Sequence, residues 1–111
     1  MSDIYRTDLT PEEVAAGFTL TDVPNPKGHY FLEPRNIQAV VKPLSPTQRL
    51  IKMESPIDGT ISYAHQAYID NVGSDNWRPV AQAAYSVSEA ASRLPASPAT
   101  IDAKYGWTKN L

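Results

Sequence analysis

The sequence predicts a small α+β domain in which two to three short helices pack on an antiparallel sheet of three to four strands. Three observations support this fold class. The 111 residues suffice for one domain spanning 1–111. The middle third combines prolines with alternating apolar residues, which favours strands over long helices. Capping signals mark short helices near both ends, beyond which we expect an extended N-terminal arm at 1–9 and a tail at 106–111.

The first predicted element is a helix of about two turns. Thr10 is followed by proline at the first helical position and by Glu13 at the third, which is the pattern of a capping box. Gly17 then suits the C-terminal cap. Val14 and Phe18 lie four residues apart and are expected to form the buried face.

The middle of the chain predicts strands joined by tight turns. Residues 24–56 hold six of the ten prolines, so no long helix fits there. Alternation over 36–42 predicts one strand and 48–53 a second, with 43–46 as the hairpin connection and 55–59 as a turn. Residues 60–69 fit both a third strand and a helical stripe, and periodicity leaves the two open.

The C-terminal third predicts helices. A spacing of three and four residues indicates one helix over 80–94, ended by Pro95 and capped by Asp75 or Asn76. A second short helix is predicted over 98–104, with Gly106 as its stop. The apolar face of the longer helix would consist of Val80, Ala84, Val87, Ala91 and Leu94.

Residues suited to catalysis or metal binding are scarce. The chain has no cysteine, which excludes a thiolate zinc site, and its two histidines, His29 and His65, show no metal-binding spacing. Asp58, Ser62 and His65 could be written as a triad, but a triad is defined by geometry, and His65 is more typical of a hydrogen-bonded residue of a strand or helix. We therefore expect no enzymatic activity, no cofactor and no metal.

Charge is unevenly distributed along the chain. Residues 1–23 hold five acids and one base, whereas residues 24–53 hold five bases and one acid. Such asymmetry concerns association rather than fold. In a hairpin centred on residues 44–47, Lys42 and Arg49 would lie nearly opposite each other and form a positive patch for a neighbour's acidic segment. Trp77 with Arg78 is a candidate anchor, with a core position for Trp77 as the alternative. The candidate partner-binding residues are Asp8, Glu12, Glu13, Lys42, Arg49, Lys52, Trp77 and Arg78.

These features favour a non-enzymatic structural or assembly protein, a small subunit ordered by neighbouring chains in a larger complex, for example a minor virion or phage component. The partner would be protein, through self-association or a larger complex. The alternative is a small inhibitor or adaptor that blocks a larger protein, of the anti-defence type. The acidic N-terminus and the absence of a long apolar run predict no signal peptide and no membrane partner, and hence an intracellular or virion location.

A third alternative is a module that binds single-stranded nucleic acid. The basic segment combines cations with aromatic side chains, the mixture that such grooves use. An isoelectric point of 5.6 argues against it, because long-range attraction to phosphate is weak. The residues that would serve this function are Lys27, Tyr30, Phe31, Arg35 and Lys42.

Overall fold

The computed structural model describes residues 4–24, 36–69, 77–80 and 84–105, which form short helices and one antiparallel sheet. The α+β class is confirmed, although the sheet has more strands than the three to four predicted. The strands are β1 (Ile4–Tyr5), β2 (Thr19–Pro24), β3 (Asn36–Ser45), β4 (Gln48–Glu54), β5 (Ile61–Tyr68) and β6 (Trp77–Pro79). The helices are α1 (Pro11–Ala16), α2 (Val87–Ala91) and α3 (Pro98–Tyr105).

Helix α1 begins and ends where the sequence predicts. The Thr10 hydroxyl accepts a hydrogen bond from the Glu13 N–H (3.3 Å), and Glu13 Oε1 accepts one from the Thr10 N–H (2.8 Å), which completes the capping box. Gly17 ends the helix at φ 105°, in the left-handed region that glycine tolerates. A Cβ at Gly17 would also lie 3.2 Å from Cε of Lys42, so both the backbone conformation and the nearby Lys42 side chain favour glycine at this position.

The buried face of α1 differs from the prediction. Val14 is 56% exposed, whereas Glu13 is 1% exposed. Phe18 is buried as expected, but it follows the helix rather than belonging to it. The expectation for Val14 is wrong because the Glu13 carboxylate is bound by the cap and by groups of the sheet, which turns this side of the helix inward.

Strands β2 to β6 form an antiparallel meander in chain order. The hairpin between β3 and β4 is confirmed, with its turn at residues 46 and 47 and an irregular register between Pro43 and Ser45. The turn predicted over 55–59 is also present, and the Gly59 N–H donates to the Ser55 carbonyl (2.9 Å). Strand β5 settles the open question over residues 60–69 in favour of a strand.

The N-terminal segment is inserted between strands β3 and β4. Direct pairing of β3 with β4 reaches Val41 and Ile51, and β1 pairs with the far end of β4. Arg6 lies between the two strands, since its N–H donates to the Lys52 carbonyl (3.1 Å) and its carbonyl accepts from the Val40 N–H (3.2 Å). The sheet therefore diverges around the residues that follow β1.

The described residues confirm the helix predicted over 80–94 at Val87–Ala91 and contradict it at 84–86 and 92–94. Residues 77–79 form strand β6, and Tyr85 makes an isolated antiparallel bridge with Tyr63 of β5. The helix α2 covers Val87–Ala91 alone, with Ser86 as N-cap and Glu89 completing a capping box. Pairing with β5 thus overrides the helical spacing. The helix predicted over 98–104 is confirmed by α3, whereas Asp75, Asn76 and Gly106 lie outside the described residues.

The central strands are buried on both faces of the sheet. Neighbouring residues such as Val40 and Val41, or Leu50 and Ile51, point to opposite faces and are each at most 4% exposed. The first cluster faces α1 and α2 and consists of Phe18, Val40, Leu50, Tyr63 and Ala90. The second lies on the opposite face and consists of Val23, Ala39, Val41 and Ile51. A third, Ala67, Ile69 and Val80, meets Ala96 and Ile101 around α3.

Candidate interaction sites

The three bases of the hairpin do not form one positive patch. Lys42 pairs with Leu50 and Arg49 pairs with Pro43, so Lys42 and Arg49 lie on opposite faces of the sheet. Lys52 shares the face of Leu50, and both Arg49 (5%) and Lys52 (3%) are buried. The patch predicted from Lys42 and Arg49 is therefore wrong in its geometry.

Lys52 lies in a buried polar network beneath α1. Its Nζ contacts both oxygens of Glu13 (2.8 Å to Oε2 and 3.1 Å to Oε1), and it donates to the Asp8 carbonyl (2.8 Å). The Tyr63 hydroxyl donates to Glu13 Oε2 at 2.5 Å. Buried charges require such pairing, because desolvation of an unpaired ion is costly. Glu13 thus bridges helix α1, strand β4 and strand β5.

The surroundings of Glu13 and Tyr63 shift the pKa of each group. Burial by itself would raise the pKa of Glu13, but the hydrogen bonds from Lys52, Tyr63 and the Thr10 N–H outweigh burial and lower it. Burial, followed by the hydrogen bond to the Glu13 carboxylate, raises the pKa of Tyr63. At neutral pH Glu13 is therefore held as a carboxylate and Tyr63 as a neutral phenol.

The other N-terminal acids differ in their surroundings. Asp8 Oδ2 lies 3.2 Å from Lys52 Nζ, and Arg6 Nε donates to Asp8 Oδ1 (2.8 Å) and Arg6 Nη1 also to Glu54. The hydrogen bond from Arg6 is the main reason that the pKa of Asp8 falls to about 2. Glu12 is exposed on α1. Within this chain, two acids of the N-terminal block bind a base of the middle block.

Lys42 contacts the end of helix α2. Its Nζ donates to the carbonyls of Ala90 (2.9 Å) and Ala91 (3.0 Å). A cation at the C-terminal end of a helix meets carbonyls that lack partners within the helix. Lys42 therefore ties strand β3 to helix α2.

Arg49 and Trp77 are neighbours on the face of the sheet opposite the helices α1 and α2. Arg49 Nε donates to Gln66 Oε1 (2.8 Å), and its Cζ lies 4.1 Å from the centroid of the Trp77 ring. Trp77 also meets Tyr68 edge to face, with centroids 5.6 Å apart. Arg78 Nη1 donates to the Trp77 carbonyl (3.0 Å). Trp77 is half-buried, and its role as an anchor for a partner stays a prediction.

A second polar group, absent from the sequence predictions, surrounds His65. Gln48 Oε1 accepts from the Ala96 N–H (2.7 Å) and Gln48 Nε2 donates to the Ala96 carbonyl (2.8 Å), so one amide binds the segment between α2 and α3. His65 Nε2 lies 2.8 Å from Gln48 Oε1, and Arg93 Nε donates to His65 Nδ1 (3.3 Å). Ser62 is of opposite parity on β5, so it does not share a face with His65.

The ring of His65 is neutral in this arrangement. Burial, followed by the positive charge of Arg93, lowers the pKa of His65. Since Nδ1 accepts a hydrogen bond from Arg93, Nε2 carries the proton and donates it to Gln48. The expectation of a hydrogen-bonded His65 in a strand or helix is confirmed, and Arg93 is the residue that sequence patterns did not indicate.

Other sequence predictions concern residues beyond those described. Lys27, Tyr30, Phe31 and Arg35 lie outside the described residues, and Lys42 already binds α2. Within 4–24, 36–69, 77–80 and 84–105, no group of three or more acidic or histidine side chains is placed to hold a metal ion. No helix in the described part of the chain is both long and apolar enough to cross a membrane.

Comparison with known proteins gives no relative for this chain. No protein-family model, no curated protein and no solved structure matches it.

Proposed function

We propose that this protein is a non-enzymatic assembly subunit, a small component of a larger complex such as a virion. It would join neighbouring chains through the outer edge of strand β2. The observation that carries the proposal is the contrast between the two ends of the sheet. Strand β2 has six residues, all paired on one side with β3, and none of the described residues pairs with its other side. An unpaired strand edge is a template for another strand.

The opposite edge is less suited to pairing. Strand β6 has three residues and ends in Pro79, which has no N–H to donate. Short edge strands and prolines are devices by which proteins prevent association at sheet edges. Strand β2 carries Pro24 at its very end, and the preceding residues Thr19 to Asp22 leave their side chains exposed.

Leu20 indicates a register for pairing between two copies. It is 46% exposed and shares the face of Val40, its partner on β3. A two-fold axis perpendicular to the sheet and centred on Leu20 would place each Leu20 opposite its equivalent, with Thr19 opposite Thr21 of the other copy. This register buries the two leucines against each other and brings no like charges together among these three positions.

The proposal is tested by the mass of the native protein in solution, measured by light scattering over a range of concentrations. We expect self-association that Leu20→Lys abolishes, because two lysines would then face each other. The matched control is Ile57→Lys, since Ile57 is 92% exposed in the turn before β5. It adds the same charge away from β2 and should leave association unchanged.

The possible outcomes separate the alternatives. The proposal is contradicted if the wild-type protein stays monomeric at about 100 µM, a concentration well above the dissociation constants typical of specific interfaces. A monomer that forms a one-to-one complex with a foreign protein favours the inhibitor or adaptor instead. Equal association of Leu20→Lys and the wild type would place the interface elsewhere. Melting curves verify that both variants remain folded.

A further inference from the structure

An open groove lies between α2, α3 and the end of β6, and its walls are mainly apolar. Its volume is about 640 Å³, within the range of pockets that bind ligands. Leu94 is 77% exposed at the groove, although isolated leucines of this kind are common on protein surfaces. The apolar or aromatic lining residues are Val80, Tyr85, Leu94, Pro95 and Ala96, and the polar ones include Glu89, Ser92, Arg93 and Thr100.

Arg93 is the fixed cation of this groove. Its Nε donates to His65 Nδ1, and its Cζ lies 4.4 Å from the centroid of the Tyr85 ring. These two contacts orient the guanidinium plane. No described residue accepts a hydrogen bond from either of its two Nη groups. A guanidinium presents its donors in a rigid fork that matches the two oxygens of a carboxylate. Holding the fork in advance reduces the entropy lost on binding.

The carboxylate of Glu89 also lines the groove, but it does not bind the Arg93 guanidinium. Glu89 Oε1 accepts a hydrogen bond from the Ser86 N–H (2.9 Å) as part of the capping box of α2. No ion pair within 4.0 Å joins Glu89 and Arg93 among the residues described. His65 is neutral and already accepts from Arg93. Among the described residues, none therefore accepts a hydrogen bond from the Nη groups of Arg93.

We propose that this groove binds a short peptide segment of a protein partner, in which an aspartate or glutamate pairs with Arg93 and flanking apolar side chains pack on Leu94 and Tyr85. Charge complementarity selects the carboxylate. The apolar walls select a peptide over a small inorganic anion, because such an anion would cover little of Val80, Leu94 and Pro95. This proposal is independent of the pairing of β2, since the groove lies at the other end of the strand order.

The test uses two tripeptides with blocked ends, leucine-aspartate-leucine and leucine-asparagine-leucine, added to the ¹⁵N-labelled full chain. The resonance of Arg93 Nε–Hε and the backbone amides of Arg93, Leu94 and Ala96 report binding. We expect saturable shifts with the aspartate peptide and binding about 10- to 100-fold weaker with the asparagine peptide, which corresponds to a hydrogen bond to a charged group.

Two variants locate the site. Arg93→Gln keeps a donor for His65 but removes the cationic fork, and it should weaken the aspartate peptide to the level of the asparagine peptide. Leu94→Ala should weaken both peptides, whereas Ile57→Ala, a truncation of another exposed aliphatic residue, should weaken neither. The shifts of His65 ring protons verify that the site stays folded in Arg93→Gln.

Three results would overturn the proposal. Equal binding of the two peptides would remove the carboxylate from the interaction. Saturable binding of inorganic phosphate in preference to the aspartate peptide would make the groove a site for a free oxyanion. The absence of any shift at Arg93 with 10 mM aspartate peptide would show that the fork recognises no peptide carboxylate.

Discussion

The buried carboxylate of Glu13 gives the sharpest prediction for stability. Glu13→Ala removes the main partner of Lys52, a residue that is 3% exposed. Among the described residues, the Asp8 carbonyl (2.8 Å) and the Asp8 carboxylate (3.2 Å) then remain in contact with its Nζ. The variant also removes the acceptor of the Tyr63 hydroxyl. Breaking a buried ion pair from one side costs about 3–5 kcal/mol, because the other charge stays desolvated.

This loss is large for a domain of this size. A domain of this length has a free energy of unfolding on the order of 5–15 kcal/mol, so Glu13→Ala would remove at least about a fifth of it. Urea denaturation followed by circular dichroism measures the change. The control is Glu12→Ala, which removes an exposed acid from the adjacent position of α1 and should change stability by about 0.5 kcal/mol or less.

A double variant tests whether the cost arises from the stranded charge. Glu13→Leu combined with Lys52→Met removes both charges, and it should be less destabilising than the sum of its single changes by about 0.5–3 kcal/mol. If Glu13→Ala and Glu12→Ala cost equal amounts, or if the two single changes add without coupling, Glu13 and Lys52 contribute no paired stabilisation and the reasoning fails.

Three further predictions concern backbone strain and pH. Gly17→Ala should destabilise by about 1–2 kcal/mol in urea denaturation, and by more than Gly59→Ala, because both glycines have positive φ but a Cβ meets Lys42 at the former alone. The pKa of Glu13 is lowered in the fold, so the contribution of its charge to stability is complete above the unfolded pKa near 4.3 and is lost as pH falls through the folded pKa. Glu13→Ala should abolish this part of the acid dependence, measured by denaturation at a series of acidic pH values. The pKa of His65 is also lowered, so wild-type stability should fall with pH below about 6.5, and His65→Gln should flatten that slope in denaturation series from pH 7 to pH 5.

Local signals in the sequence predict the elements whose determinants are local. The capping box of Thr10 and Glu13 and the glycine at 17 involve neighbours in the chain, and the structure confirms both ends of α1. The helical spacing over 80–94 fails at Tyr85 because the competing interaction is remote in sequence. Tyr85 exchanges two backbone hydrogen bonds (3.0 Å each) with Tyr63, which is distant in sequence. A periodic pattern carries no information about that partner.

The error in the hairpin has a definite cause in register. A hairpin centred on residues 44–47 pairs position 42 with position 49, whereas the observed turn at 46 and 47 and the irregularity before it pair Lys42 with Leu50. A shift of one residue moves a side chain to the other face of a sheet. Arg49 consequently meets Gln66 and Trp77 instead of standing beside Lys42.

Part of the charge asymmetry of the sequence is expressed inside the chain, through the contacts of Lys52, and this bears on the assembly that we propose. Lys52 and Glu13 bind each other and are both buried, so these two charges contribute to folding and cannot at the same time serve a neighbour without disrupting the core. The association that we propose would then use other features, namely the edge of β2 and the groove of Arg93. Symmetric pairing of β2 closes after two copies, because each edge is satisfied by its equivalent. A complex larger than a dimer therefore requires a second, different surface, and the groove lies at the opposite end of the strand order. If β2 pairs and the groove binds no carboxylate, the protein should stop at the dimer.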